Sequence, residues 1–261
     1  MYQTLKVDIN DNMAIITLCR PEYLNAFNAA MAVDLLRAFE AVGTNEDVRA
    51  VLLRGEGSAF CVGGDIKEFS TKLDRMPADV PDTIEVLNAA MTTLQNLPKP
   101  VLVSVHGAVA GVGLSLMLAC DLAIAAENTQ FILAYTKIGV TPDGGATYFL
   151  PRIIGQRRAL QMALLPEKLS AVQALDWGLI NWMVADQELD KSTTDLMYRL
   201  ANGPTIAFSR VKHLINNTWD KGIDDQLQAE MHAFTECTIS KDFRRGVEAF
   251  VGKKGPLFEG D

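Results

Sequence analysis

Three glycine-marked turns hold the residues of this sequence whose types and spacing could do chemistry. The first is FCVGGDI, residues 60–66, where Gly63 and Gly64 follow a strand-like run. Paired glycines let the main chain turn sharply and present unhindered N–H groups to a ligand. The same pattern also fits a plain strand-to-helix turn, with Asp65 near the next helix start. The second is HGAVAGVGLSL, residues 106–116, in which a strand ends, glycines turn the chain and a helix is expected to begin at about Ala110. Its unpaired N–H groups and partial positive charge would stabilise an oxyanion by about 3 kcal/mol per well-placed donor. The plain alternative is a glycine-packed buried helix, with His106 a neutral core histidine. The third is KIGVTPDGGATYFLPR, residues 137–152, where Asp143 lies between Pro142 and Gly144 in a tight turn. Asp is also a favoured N-cap and Pro-Asp-Gly-Gly is ordinary turn chemistry. Taken together, two turns offering N–H donors and one offering a carboxylate suit proton abstraction beside a thioester carbonyl.

The bulk properties leave room for such a site and exclude others. The 261 residues suffice for one large domain or a domain plus a subdomain, and 49% hydrophobic with 21% charged residues is an ordinary globular balance. A net charge of −8 without a dense Lys/Arg run argues against a nucleic-acid partner. The four cysteines, Cys19, Cys61, Cys120 and Cys237, form no C-x-x-C pair and no disulfide framework. Cys19 and Cys120, in apolar runs, are expected to be inert core thiols, and a reducing cytoplasm is the natural compartment. MYQTLKVDIN lacks a basic and an apolar region, so no signal peptide is expected. Residues 100–120 carry no Lys, Arg, Asp or Glu, yet Pro100, three glycines and a β-branched run favour a buried strand, a turn and a buried helix over a membrane span.

The elements that must position the three turns alternate along the chain. TLKVDI and AIITLC read as strands joined by an Asn-Asp turn, followed by an amphipathic helix over 29–42 with Leu35, Leu36 and Phe39 on one face. RAVLLRG is a strand ending at Gly55, a helix is expected over 81–97, and VLVSV and DLAIAAE are further strands. This alternation predicts an α/β fold with βαβ units on a mostly parallel sheet. Periodicity does not place residues 70–82. QRRALQMALL and SAVQALDWGL read as short helices, the second capped by Ser170, and three or four helices are expected beyond Glu188.

Several ordered motifs together resemble the crotonase (enoyl-CoA hydratase/isomerase) superfamily: LCRPEYLNAFN, GEGSAFCVGGDIKEF, LPKPVLVSVHGAVAGVGLSLMLACDLAIAAE, LPRIIGQRRALQMALL and SAVQALDWGLINWMV. The resemblance runs the length of the chain. It implies a crotonase-like ββα spiral core over 1–195 and a helical C-terminal trimerisation region over 196–261. It also implies an acyl-CoA thioester substrate, with coenzyme A entering as part of the substrate, no tightly bound cofactor, no metal, no membrane partner, and a homotrimer or dimer of trimers. Carried over by motif, the oxyanion-hole N–H groups fall on Gly64 and Val112. Leu24, Ala26, Val62, Gly63, Gly64, Asp65 and Ile66 would lie along coenzyme A, joined by Phe250 and Lys253 from the same or a neighbouring subunit.

The chain departs from the hydratase pattern at two positions. The two glutamates of typical hydratases align with Ser115 and Tyr135, which would line the pocket, and neither is a carboxylate. Hydration needs a group that activates water and a proton source beside it. Asp143 matches the aspartate of members that move double bonds or rearrange ring thioesters, and TPDGGATYFLPR is similar to the ring-1,2-epoxyphenylacetyl-CoA isomerase branch. The expected activity is therefore acyl-CoA isomerisation through a held enolate, with Asp143 as acid/base. The alternatives are a hydratase or hydrolase using Asp143 and water, and a non-catalytic acyl-CoA-binding protein. Dehalogenases of the family need a histidine after the first oxyanion loop, and residues 66–100 contain none.

Overall fold

The computed structural model describes residues 2–261, so residue 1 of the expected 1–195 unit lies outside it. In chain order its elements are β1 (Leu5–Asn10), β2 (Met13–Leu18), α1 (Ala29–Thr44), β3 (Ala50–Gly55), α2 (Ile66–Ser70), α3 (Met76–Gln95) and β4 (Val101–Val105). There follow β5 (Ala108–Ala110), α4 (Val112–Leu118), β6 (Leu122–Ala126), β7 (Gln130–Ile132), α5 (Ala146–Ile154), α6 (Gln156–Leu164) and β8 (Leu169–Ser170). The chain closes with α7 (Ala171–Asp176), β9 (Trp182–Val184), α8 (Leu189–Ala201), α9 (Thr205–Asn216), α10 (Ile223–Ile239) and α11 (Lys241–Val251).

β1 and β2 form an antiparallel hairpin closed by Asp11 and Asn12, at φ 50° and 62°. Asn and Asp tolerate this left-handed region, and the paired positive φ values match the twist of the flanking strands. β2, β3, β4, β6 and β9 then pair in parallel, giving the sheet order β1-β2-β3-β4-β6-β9. Apart from Ser104 and the Arg54 end of β3, β3, β4 and β6 are apolar because both faces are covered. Val51, Leu53, Val101, Val103 and Val105 join Met31, Leu35 and Phe39 of α1, Leu87 and Met91 of α3, and Leu114 of α4 in one core. The alternate residues Leu52, Leu102, Ile124 and Ala126 meet Leu189, Met197 and Ala201 of α8 in a second.

Where the structure differs from the sequence reading, the reasons are local. Ala110 ends β5 rather than starting a helix, because Gly111 adopts φ 50°, ψ −126° and the helix begins only at Val112. The second sheet, β5-β7-β8, was not expected: its strands are only two or three residues long. Residues 70–82, which periodicity left unplaced, are mainly helical, with a 3-10 turn at Leu73–Arg75 running into α3. Pro81 lies inside α3, in its exposed N-terminal turns, instead of opening it. Cys19 is half-buried and donates to Glu56 Oε2 at 2.8 Å, so it is not a core thiol. His106 is likewise half-buried, its Nε2 2.9 Å from Gly57 O. Ser170 caps α7 through a reciprocal box with Gln173, as expected.

The C-terminal region is helical, but α8 is one helix spanning the 195/196 boundary of the sequence reading. Along α10, Ile223, Leu227, Met231 and Phe234 are exposed on one face. Among the described residues no helix is long and apolar enough to cross a membrane.

Candidate functional site

The loop after β3 is threaded between two other segments. On one side Val62 N–H donates to Leu24 O (3.2 Å), Phe27 N–H to Gly63 O (2.7 Å) and Asp65 N–H to Phe27 O (2.9 Å). On the other, Cys61 N–H donates to Ala108 O (3.2 Å) and Ala110 N–H to Cys61 O (2.9 Å). These bonds lay residues 24–27, 61–65 and 108–110 side by side and bring the first two glycine turns together. Close approach depends on Gly113, where a Cβ would stand 2.6 Å from Cys61 Cβ and 2.7 Å from Cys61 O. Ser115 N–H and Leu114 N–H both turn back to Gly111 O, leaving Val112 N–H at the open start of α4. Among the described residues, neither Gly64 N–H nor Val112 N–H donates to a protein acceptor. Two free amide donors on adjoining segments are what an oxyanion requires.

The third turn closes over the same helix. Gly144 packs against Ser115, Met91 and Leu87, where a Cβ would lie 3.1, 3.2 and 3.6 Å from their side chains. Ser115 is fully buried; its Oγ donates to Asp143 O at 3.0 Å and lies 3.0 Å from the Tyr135 hydroxyl. The Tyr135 hydroxyl donates to Asp143 Oδ1 at 2.5 Å. Burial raises the Asp143 pKa above the usual carboxylate value, and the Tyr135 hydrogen bond opposes this only in part. Burial, then the Asp143 charge, push the Tyr135 hydroxyl well up, so it remains a protonated donor. The cluster is thus one carboxyl with a raised pKa that accepts from the Tyr135 hydroxyl, on a main-chain turn held by Ser115, with Leu87 and Met91 of α3 against Gly144. A carboxyl with a raised pKa is the kind of group that general acid/base chemistry uses.

The residues expected along coenzyme A divide into two groups. Leu24, Ala26, Val62, Gly63, Gly64, Asp65 and Ile66 are contiguous, with Leu24 and Ile66 exposed beside the buried Ala26 and Asp65. Phe250 and Lys253 lie at the end of α11, Phe250 being 85% exposed, and the hydrogen bonds of this region link them to α11 itself rather than to the 62–66 loop. Sequence reasoning missed two supports. Arg20 makes a 3.0 Å ion pair with Asp65 and also donates to Ala26 O. Burial raises the Asp65 carboxyl, but the Glu68 N–H and Arg20 outweigh it and leave the pKa lowered. Asn25, fully buried at φ 55°, bonds Arg20 N, Glu56 O and Ala59 O, fixing the bend of residues 24–27. The side-chain partners lie 31 to 45 residues away, so only the LCRPEYLNAFN motif itself signalled them. Among the described residues no cluster of His, Cys, Asp and Glu could hold a metal ion.

The model of one protein family, enoyl-CoA hydratase/isomerase, matches residues 8–261. The chain belongs to that family. Among curated members of the enoyl-CoA hydratase/isomerase family, it is 36% identical to the 1,2-epoxyphenylacetyl-CoA isomerase of Escherichia coli K12, covering 100% of both chains. It is 38% identical to a Rhodobacter capsulatus protein named "Probable enoyl-CoA hydratase", covering 99% of each. A solved Mycobacterium abscessus structure, described as an enoyl-CoA hydratase/isomerase, superposes with a TM-score of 0.94 at 37% identity over 98% of this chain and 100% of that one. The fold is therefore the mixed α/β crotonase fold with a helical C-terminal region. Most of the similar members are named for coenzyme A thioesters and one for an acyl-carrier-protein substrate, and the activities in their names divide among isomerase, hydratase and dehalogenase.

Proposed function

We propose that the protein is an acyl-CoA isomerase that shifts a double bond, or rearranges a ring-epoxide thioester, through an enolate. The thioester oxygen is held by the Gly64 and Val112 N–H groups while Asp143 takes a proton from one carbon and returns it to another. One observation carries this reading: Asp143 is the single carboxyl of its cluster, and Ser115 and Tyr135 are bonded to each other beside it. One carboxyl suffices for a proton shift across a delocalised enolate, whereas water addition needs a second group to activate the nucleophile. The oxyanion donors contribute about 3 kcal/mol each.

Coenzyme A lies along residues 62–66, with Leu24 and Ala26 beside it, in a cytoplasmic enzyme without a tightly bound cofactor. The exposed α10 face is buried in a trimer or a dimer of trimers, and Phe250 and Lys253 reach coenzyme A from a neighbouring subunit. Within each chain, a spiral core is followed by the helical region that carries α9, α10 and α11. A second reading, hydration by Asp143 and water, draws support from the name of the Rhodobacter capsulatus relative.

The test is incubation of the purified protein with 3-enoyl-CoA, 2-enoyl-CoA and ring-1,2-epoxyphenylacetyl-CoA, followed by ultraviolet absorbance and mass spectrometry. Conversion of the first or third without a mass change is expected. Mass gain with the second, at a comparable rate, supports hydration instead. Turnover of none of the three, with tight binding of acyl-CoA, is the outcome for a non-catalytic binder.

A further inference from the structure

Ser115, Tyr135 and Asp143, the first two buried and the last half-buried, form a continuous chain whose protons can be assigned one by one. Tyr135 has one hydroxyl proton, and the 2.5 Å contact with Asp143 Oδ1 takes it. Ser115 has one as well, shared between Asp143 O and the Tyr135 hydroxyl, each at 3.0 Å, with Gly111 O at 3.4 Å as a further neighbour. Ser115 therefore braces both the tyrosine and the main chain of the Asp143 turn. Leu87 and Met91 of α3, both apolar, pack against the neighbouring Gly144, and α4 presents Ser115 to the same turn. Tyr135 is the one other titratable group acting on Asp143 among the described residues.

We infer that Tyr135, braced by Ser115, is a positioning residue that keeps Oδ1 occupied in both protonation states of Asp143, so that the travelling proton is carried on Oδ2 alone. This inference rests on the reading of Asp143 as acid/base. In the first half-step Oδ2 takes a proton from the carbon next to the thioester, and the C–H electron pair moves into the enolate. In the second the enolate carbon further along the acyl chain takes that proton back, and the carboxylate is regenerated. The Tyr135 bond to Oδ1 persists throughout, so the carboxyl plane does not turn between the two half-steps. Preorganisation of this kind matters because a misplacement of about 1 Å costs on the order of 100-fold in rate.

The experiment compares Tyr135→Phe, Ser115→Ala and Asp143→Asn with the unmodified protein, using 3-hexenoyl-CoA and thermal unfolding to verify folding. Tyr135→Phe is expected to lower kcat by roughly 100-fold with KM changed by less than about threefold. It is also expected to move the acid limb of the pH profile upward, because a hydrogen bond that favours the carboxylate has gone. Ser115→Ala should move both in the same direction by less. A second readout needs no turnover: the infrared carboxyl band that Asp143→Asn abolishes should titrate at higher pH in Tyr135→Phe. An unmoved band, or Tyr135→Phe with near-normal kcat and an unmoved acid limb while Asp143→Asn is inactive, overturns the inference. Full turnover by Asp143→Asn instead overturns the reading beneath it.

Discussion

Gly113→Ala tests whether the contact between the first two glycine turns sets the spacing of the amide donors. The added methyl would stand 2.6 Å from Cys61 Cβ and 2.7 Å from Cys61 O, well inside the 3.4 Å at which ordinary contact begins. Cys61 O cannot yield alone, since it accepts from Ala110 N–H at 2.9 Å. The whole 61–64 loop must move from α4 by about 0.5–1 Å, the displacement a carbon needs to regain its optimum distance. Two energies then compete. Overpacking costs about 1–3 kcal/mol, and alanine in place of glycine in a helix returns about 1 kcal/mol at most. The net loss of roughly 0–2 kcal/mol lowers Tm by up to about 8 °C for a chain of this size. Catalysis should suffer more than stability, because spreading Gly64 and Val112 loosens the grip on the oxyanion. Loss of one such donor lowers kcat by about 100- to 1,000-fold. The assay is a thermal melt with steady-state turnover of 3-enoyl-CoA. A variant that melts higher than the parent with unchanged kcat refutes the reasoning.

Three further outcomes follow from the same geometry. Asp143→Asn should lower kcat by about 100-fold or more, and the acid limb of kcat/KM in the parent should lie above the usual carboxylate range. The raised pKa means that the folded protein holds this proton more tightly than the unfolded chain does. Its stabilisation is full below the unfolded value of about 3.9 and is lost as pH rises through the folded one. Asp143→Asn should therefore melt higher than the parent at neutral pH, with the gap closing in acid; a gap independent of pH contradicts this. Arg20→Met strands Asp65, whose side chain is only 9% exposed. Breaking such a pair costs about 3 kcal/mol or more, so Tm should fall by about 6 °C or more and KM for the thioester should rise. Phe234→Lys places a charge at a residue 70% exposed on α10. On the proposed trimer, in which this face is buried, loss of the aromatic contact should weaken assembly by about 2 kcal/mol or more, and light scattering should record smaller particles than for the parent.

Legibility in the sequence followed burial. β3 and β4 read as strands because covering both sheet faces calls for short, mostly apolar runs such as AVLL and VLVSV, and Ser170 read as a cap because a local signal suffices, its partner Gln173 lying three residues away. Features made by contacts across long stretches of chain did not read. The Ser115–Tyr135 bond spans 20 residues and the Arg20–Asp65 pair 45, with no periodicity linking them. β5 and β7 are three residues long, too short to show alternation. A glycine turn leaves the start of the following helix open by a residue or two, and the torsions of Gly111 delay it from Ala110 to Val112. In the site, Asp143 stood out as a carboxylate set among glycines, whereas its hydroxyl partners needed coordinates.

That difference has a physical source in how the two halves of the site work. Amide donors need no particular side chain, so the sequence marks them only through glycines such as Gly63 and Gly113, which allow segments to meet. Acid/base chemistry depends on one side chain and on what surrounds it, and there a single residue changes the outcome. At Tyr135 a hydroxyl donates to the Asp143 carboxyl and holds it, where a second carboxylate would repel it and raise its pKa further. Two carboxylates can share a water between them, whereas here the one carboxyl is tied to a phenol. On the proposed isomerase reading, the residue beside the acid therefore bears on the choice between moving a proton and adding water, and Tyr135→Phe should slow turnover while leaving KM for the thioester within about threefold.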